Sequence, residues 1–247
     1  MPDSTPTQTA PYKRVLLKLS GEALREPGSE DNISPEIVSR IAKQIAQVKD
    51  LGIEVSLVIG GGNFWRGEAA SARGMERAAA DYMGMLATVM NALAMQSALE
   101  SQGIRCVVHS AIEMKNVAEP FIRKKAQSQL RKGHIVIFAA GTGNPFFSTD
   151  TTAALRANEM GVDAIFKATS VDGIYCSDPR TNPNAEKFDT ISYQTCLEKR
   201  LQVMDSTAFS LCMDNNMPII IFDMNKDNSI IEAISNGDWG TIVSQEA

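Results

Sequence analysis

The chain has 247 residues, with 24 Lys+Arg against 29 Asp+Glu and a formal net charge of -5. Hydrophobic residues make up 44% and charged residues 21%, ordinary usage for a soluble protein with a sizeable core. The mild acidity and the lack of a long basic run exclude a dedicated nucleic-acid binder, but leave room for a local basic pocket that holds a phosphate compound.

No apolar stretch reaches the about 18 residues of a membrane span. The start, MPDSTPTQTAP, is polar and has no basic n-region. The apolar run behind it, Val15 to Leu19, is broken by Lys18, so no signal peptide is expected. Cys106, Cys176, Cys196 and Cys212 are scattered, and His109 and His134 are not at ligand spacing. Neither a zinc site nor a disulfide framework is expected, and a reducing, cytoplasmic setting is.

Residues 1–11 read as a disordered tail and 12–247 as a single domain. The first predicted strand, Arg14–Leu19, ends in Lys18-Leu19-Ser20-Gly21. An ammonium and loop N–H groups there suit phosphate oxygens. A lysine snorkelling out at a strand end accounts for Lys18 equally well. Ser34-Pro35-Glu36 supplies an N-cap, a first-turn proline and an acid at the positive end of a helix dipole. Ile37, Ile41, Ile45 and Val48 form its stripe, and Gly52 stops it.

Strand Glu54–Ile59 runs into Gly60-Gly61-Gly62-Asn63, with Arg66 shortly after. Three glycines exceed what a turn needs and allow a ligand to approach the main chain. Arg66 suits a bidentate phosphate contact. Met75–Gln102 predicts a long helix with Met83, Leu86, Met90 and Leu93 on one face, for core or subunit packing. Asp81 lies within it, where a surface acid is the plainer reading.

Strands Arg105–His109 and His134–Ala139 follow. The second leads into AAGTGNPFFSTD (139–150), too long and too polar for a plain turn. Thr142, Asn144 and Thr149 suit reading a heterocycle, and Phe146 and Phe147 suit either shaping a pocket or filling core. Asp150 is a good N-cap for the predicted helix Thr151–Met160. Strand Ala164–Lys167 ends in a second lysine. Asp172-Gly173 reads as a β-turn, Asp178 to Asn184 as an exposed loop, and Asp205 as another N-cap. Strands Pro218–Phe222 and Thr241–Val243 close the series.

Near-continuous apolar strands alternating with helices predict an α/β fold with a mainly parallel sheet covered on both faces. Ligands then bind beyond the strands' carboxyl ends, where these turns lie. Walker A, G-x-G-x-x-G, G-x-S-x-G and protein-kinase motifs are all absent from the sequence. Two strand-end lysines, an arginine, glycine turns and acids for Mg²⁺ point to phosphoryl transfer without a P-loop.

Seven stretches, KRVLLKLSGEAL, LVIGGGNFWRG, DYMGMLATVMNALAM, AAGTGNPFFSTDT, KATSVDGIYCSDP, VMDSTAF and PIIIFDMN, resemble the bacterial UMP kinases (uridylate kinases) of the amino acid kinase superfamily. They run in family order from Tyr12 onward. The resemblance implies a three-layer α/β/α sandwich, a homohexamer, and transfer of the ATP γ-phosphoryl group to UMP with Mg²⁺, in pyrimidine biosynthesis. The acceptor site would lie in the N-terminal part and the ATP site in the C-terminal part.

On this resemblance Lys18, Asp150, Asp205 and Lys167 would be catalytic. Lys18, Leu19, Ser20, Gly21, Gly62, Arg66, Thr169, Tyr175 and Asp178 would hold ATP. Gly61, Arg66, Asp81, Thr142, Gly143, Asn144, Pro145, Phe146, Phe147, Ser148 and Thr149 would hold UMP. No residue is assigned as a dedicated metal ligand. UTP inhibition and GTP control belong to the family. However, Arg25 to Ile33, REPGSEDNI, departs from the glycine-rich segment that many members carry there and that goes with GTP activation. Two alternatives stay open on the residues alone: a kinase acting on an amino-acid carboxylate, and a noncatalytic nucleotide-binding protein.

Overall fold

Val15, Leu16, Leu17 and Leu19 have no solvent exposure, and the strand they form, β1 (Arg14–Leu19), lies inside a sheet with helices on both faces. The computed structural model describes residues 11–177, 179, 181–182, 184–201, 204–236 and 239–246. Of the predicted tail, residues 1–10 lie outside the described residues.

On one side of β1 come β2 (Glu54–Ile59), β5 (Ile135–Ala139), β3 (Cys106–Ser110) and β4 (Glu119–Pro120). On the other come β6 (Ala164–Thr169), β10 (Ile219–Asp223), β11 (Thr241–Ser244) and β9 (Thr190–Ser192). Every pairing in this sheet is parallel except β10 with β11. β7 (Ile174–Tyr175) and β8 (Lys187–Phe188) form a separate antiparallel pair. Gly173 lets this pair sit against β11: a Cβ there would stand 2.5 Å from Thr241 Oγ1.

Successive strand residues face opposite layers. Val15, Leu17, Leu19, Leu57 and Phe166 pack toward α1 (Pro35–Asp50), α3 (Arg77–Glu100) and α8 (Ser229–Asn236). Leu16, Val58, Val136 and Ile165 pack toward α4 (Arg123–Arg131), α5 (Thr149–Met160), α6 (Tyr193–Glu198) and α7 (Ser206–Asp214). A short α2 (Gly67–Ser71) follows the glycine turn. The expected three-layer α/β/α arrangement is present. Cys106, Cys196 and Cys212 are buried, and burial pushes their thiols up to about 12, 11 and 12. Cys176, in the turn after β7, is exposed.

One expectation needs correction. The N-cap of α5 is Ser148, whose hydroxyl accepts from Asp150 N and Thr151 N. Asp150 therefore sits in the first turn and is free of capping. For α3 the sequence left core and subunit packing open, and the core alternative does not hold. Met83, Leu86 and Met90 are exposed, while Ala80, Met85, Ala87, Thr88, Asn91, Ala92 and Met95 face inward. Small inward residues let the helix lie close on the sheet.

Candidate active site

Lys18 and Lys167 are side-by-side partners in the register of β1 and β6. Each lies two positions beyond a residue packed toward the α5 layer, Leu16 or Ile165. Both ammonium groups therefore reach the first turn of α5. Asp150 is clamped between them, its Oδ1 2.7 Å from Lys18 Nζ and its Oδ2 2.7 Å from Lys167 Nζ. The three side chains are only 11–14% exposed. Lys18 is thus held inside the site and does not snorkel outward.

Burial alone would raise the Asp150 carboxyl, but Lys18 and Lys167 outweigh it and hold it below its ordinary range. Burial lowers the Lys167 ammonium, and the neighbouring Lys18 adds to this, against the pull of Asp150 and Asp205. Lys18 and Lys167 set two ammonium groups side by side, with Asp150 between them and Asp205 close enough to act on Lys167, an arrangement suited to an anion that gathers charge.

Asp205 caps α7 by accepting from Ala208 N at 3.0 Å, as the sequence predicted. It does more. Its Oδ1 accepts from Thr151 Oγ1 at 3.0 Å and its Oδ2 accepts from Ser148 Oγ, so α7 is tied to the start of α5. Thr151 was not singled out in the sequence, whereas Glu22 closes the first of its unusual turns. Glu22 Oε1 accepts from Arg66 Nη2 at 2.7 Å, bringing the first two turns together.

The glycines divide by role. A Cβ on Gly21 would meet Asn63 Oδ1 at 2.4 Å and Gly60 O at 2.5 Å, because the two turns cross there. One on Gly61 would stand 2.7 Å from Gly84 O and 2.8 Å from Ala87 Cβ. Helix α3 fills the space on the Cβ side of Gly61. At Gly62 the nearest atom is Glu22 Oε1 at 3.9 Å, so this glycine keeps its open face. Of the first turn, Leu19 sends its side chain into the core and offers only backbone, and the Ser20 hydroxyl makes no cap.

Polar residues inside α3 hold these turns. Asn91 Nδ2 donates to Gly60 O at 2.7 Å and exchanges hydrogen bonds with Asn63. Thr88 Oγ1 accepts from Ala140 N at 2.8 Å. Their sequence signal was a threonine and an asparagine three apart on one face of an otherwise apolar helix.

In the long loop, Thr142 Oγ1 accepts from Asn144 N at 3.2 Å, and Gly143 packs on Ala111. Phe146 and Phe147 are 68% and 49% exposed, so neither is core. Asp81, a surface acid on the residues alone and a UMP contact on the resemblance, pairs with Arg77 and accepts from Phe146 N at 2.7 Å. Pro145 is half-buried beside them, and Thr149 Oγ1 stands beside Gly60. On the other flank Thr169 Oγ1 donates to Val171 O, and Tyr175 OH donates to Asp172 Oδ1 at 2.6 Å. Asp178 lies outside the described residues.

A parallel sheet with paired strand-end lysines, an acid between them and glycine turns at its carboxyl edge defines a phosphate-handling α/β enzyme. The model of the amino acid kinase family matches residues 13–223, and the chain belongs to that family. Its structure is similar to the crystal structure of UMP kinase from Bacillus anthracis, at 40% identity and a TM-score of 0.91, over 96% of this chain and 98% of that one. It is also similar to UMP kinase from Ureaplasma parvum (37% identity, TM-score 0.89, 94% and 98% covered). A further likeness is to uridylate kinase from Archaeoglobus fulgidus (28% identity, TM-score 0.71, 93% and 99% covered).

Proposed function

We propose that the protein transfers the γ-phosphoryl group of ATP to UMP, giving ADP and UDP, in the cytoplasmic supply of pyrimidine nucleotides. The observation that carries this reading is the Lys18–Asp150–Lys167 triad, set where three strand-end turns meet. Two phosphorylated substrates must be brought in line, and the transferring group carries spread negative charge. Positioning and cationic stabilisation then supply most of the catalysis, without a covalent enzyme intermediate. Lys18 and Lys167 stabilise the moving charge, Asp150 fixes both ammonium groups, and Asp205 holds the start of α5. The backbone around Gly21 and Gly62 holds the donor phosphates. Thr169 and Tyr175 flank its nucleoside.

Arg66 suits the facing phosphates, being 67% exposed in its side chain and steered by Glu22. Asp81 and the loop from Thr142 to Thr149 take the acceptor's sugar and base. Magnesium enters as part of the donor, because Mg²⁺ keeps several waters and binds through substrate phosphates and one or two carboxylates. Asp150 and Asp205 are the carboxylates of suitable chemistry at this edge.

The deciding experiment is a coupled assay with ATP, Mg²⁺ and a panel of nucleoside monophosphates and amino acids. UMP is the preferred acceptor, ahead of CMP by about a hundredfold in kcat/KM. A site built to hydrogen-bond one base edge leaves buried groups unpaired with the other, at about 1–3 kcal/mol each. Equal values for UMP and CMP would remove the base-reading role of the loop. An amino-acid acceptor would overturn the reading.

The exposed apolar face of α3, with Tyr82, Met83, Leu86 and Met90 each 40–50% exposed, supports assembly of like subunits, with a hexamer as the proposed form. Light scattering on the eluting protein checks this. Leu86→Glu with Met90→Glu gives a smaller species, and a monomeric parent protein would overturn the assembly. UTP inhibition is carried forward as part of the same reading. GTP control is less well supported, because in the departing segment Arg25 folds back on Ser29 O.

A further inference from the structure

Asp81 is engaged by the protein's own groups. Both carboxylate oxygens accept from Arg77 Nε, at 2.9 Å each, and Oδ2 also accepts the backbone N–H of Phe146 at 2.7 Å. Gly67 packs on its other side, where a Cβ would stand 2.7 Å from Oδ1. The Asp81 side chain is 12% exposed, so its direction is fixed.

The residue it grips is strained. Phe146 has φ 71°, in the left-handed region that a bulky residue adopts only when its surroundings impose it. The residue is 68% exposed, so burial of its side chain does not impose this conformation. The N–H bond to Asp81 does, helped by the Arg77 guanidinium 5.9 Å over the ring.

We infer that Arg77 is a positioning residue for the acceptor nucleotide, acting through Asp81 and Phe146. This rests on the reading of Asp81 and its loop as the UMP site. Arg77 sets the carboxylate, and one oxygen of the carboxylate then holds the loop at Phe146. The other oxygen, Oδ1, accepts from Arg77 alone among the described residues and keeps a lone pair for a sugar hydroxyl. Loss of Arg77 frees the carboxylate to turn and the Phe146 backbone to relax, so the acceptor meets an unformed site. Lys18, Lys167 and the donor turns are untouched.

The test compares Arg77→Gln and Arg77→Lys by steady-state kinetics and by calorimetric titration with UMP in the absence of ATP. Arg77→Gln raises KM and Kd for UMP about tenfold, with kcat at saturating UMP within about threefold and KM for ATP unchanged. Arg77→Lys, which keeps a cation one turn from Asp81, falls between the two. In a Phe146→Gly background the cost of Arg77→Gln shrinks, because glycine takes positive φ without a latch. An unchanged UMP affinity in Arg77→Gln would overturn the inference. So would parallel losses in kcat and both KM values, or an undiminished cost in the glycine background. A flat UMP titration of the parent protein would instead overturn the substrate reading, and the inference with it.

Discussion

Replacing Lys18 by alanine lowers kcat by about a hundredfold or more, while KM for ATP and for UMP moves far less. The ammonium is buried, lies 2.7 Å from Asp150 and stands at the end of β1 beside the Ser20-Gly21 turn. It is placed where the transferring phosphoryl group would pass. A contact that strengthens as charge moves off the donor appears in kcat rather than in binding, and one such stabiliser is worth about 3–4 kcal/mol. The variant keeps its fold, because Asp150 retains Lys167 as a buried partner. Steady-state kinetics with far-UV circular dichroism checks both halves. A folded variant with kcat within about threefold of the parent would move the catalytic charge to Lys167.

Asp150→Ala has the opposite emphasis: it damages stability as well as turnover. Two ammonium groups, 11% and 14% exposed, then face each other across adjacent strands without the carboxylate that bridged them. Removing one partner of a buried ion pair costs about 3–5 kcal/mol. For a domain of this size that lowers the thermal midpoint by on the order of 10 °C. Asp150→Asn, which keeps an acceptor oxygen but no charge, loses less, and its deficit depends on pH.

The Asp150 carboxyl is held below its unfolded value of 3.8, so the folded state releases this proton more readily than the unfolded chain does. Its stabilisation is complete above that value and disappears as the pH falls through the lower folded one. The gap in midpoint between parent and Asp150→Asn is therefore constant near neutrality and closes below about pH 3.8. A gap independent of pH down to complete acid unfolding would mean that the charge of Asp150 does not contribute.

Much of this frame was readable because it is written in strands buried on both faces. Runs such as Val15–Leu19 and Ile135–Ala139 have no polar face to confuse their period, and their ends fell within a residue or two of the observed ones. The two-residue strands β4, β7 and β8 carry no period at all and were not found. Helix α3 left two alternatives open because period alone does not say which apolar stripe meets the sheet: it turns alanines, Thr88 and Asn91 inward and leaves Leu86 and Met90 outside.

The site was legible as a set of turns and much less so as a set of contacts. Lys18 and Lys167 stood out as lysines ending apolar strands, but 149 positions separate them. Only the register of β1 on β6 makes them neighbours. Asp150 has the composition of an N-cap, and the cap fell to Ser148 two residues earlier, which freed the acid to take both lysines. The triple glycine drew a ligand explanation for all three positions. The Cβ side of Gly61 packs on α3 while that of Gly62 stays open, and no single-chain pattern separates the two.

The distribution of thiols makes the molecule its own single-point attachment site. Three of the four cysteines are shut in the core with thiols raised to about 11 or 12, so at neutral pH they offer almost no thiolate. Cys176 is exposed one residue after Tyr175, on the hairpin that the proposed donor nucleoside would touch. A maleimide dye placed there needs no engineered background. It would sit on the one wall of the site whose strands, β7 and β8, lie outside the main sheet, and so would report how that wall responds to each substrate in turn.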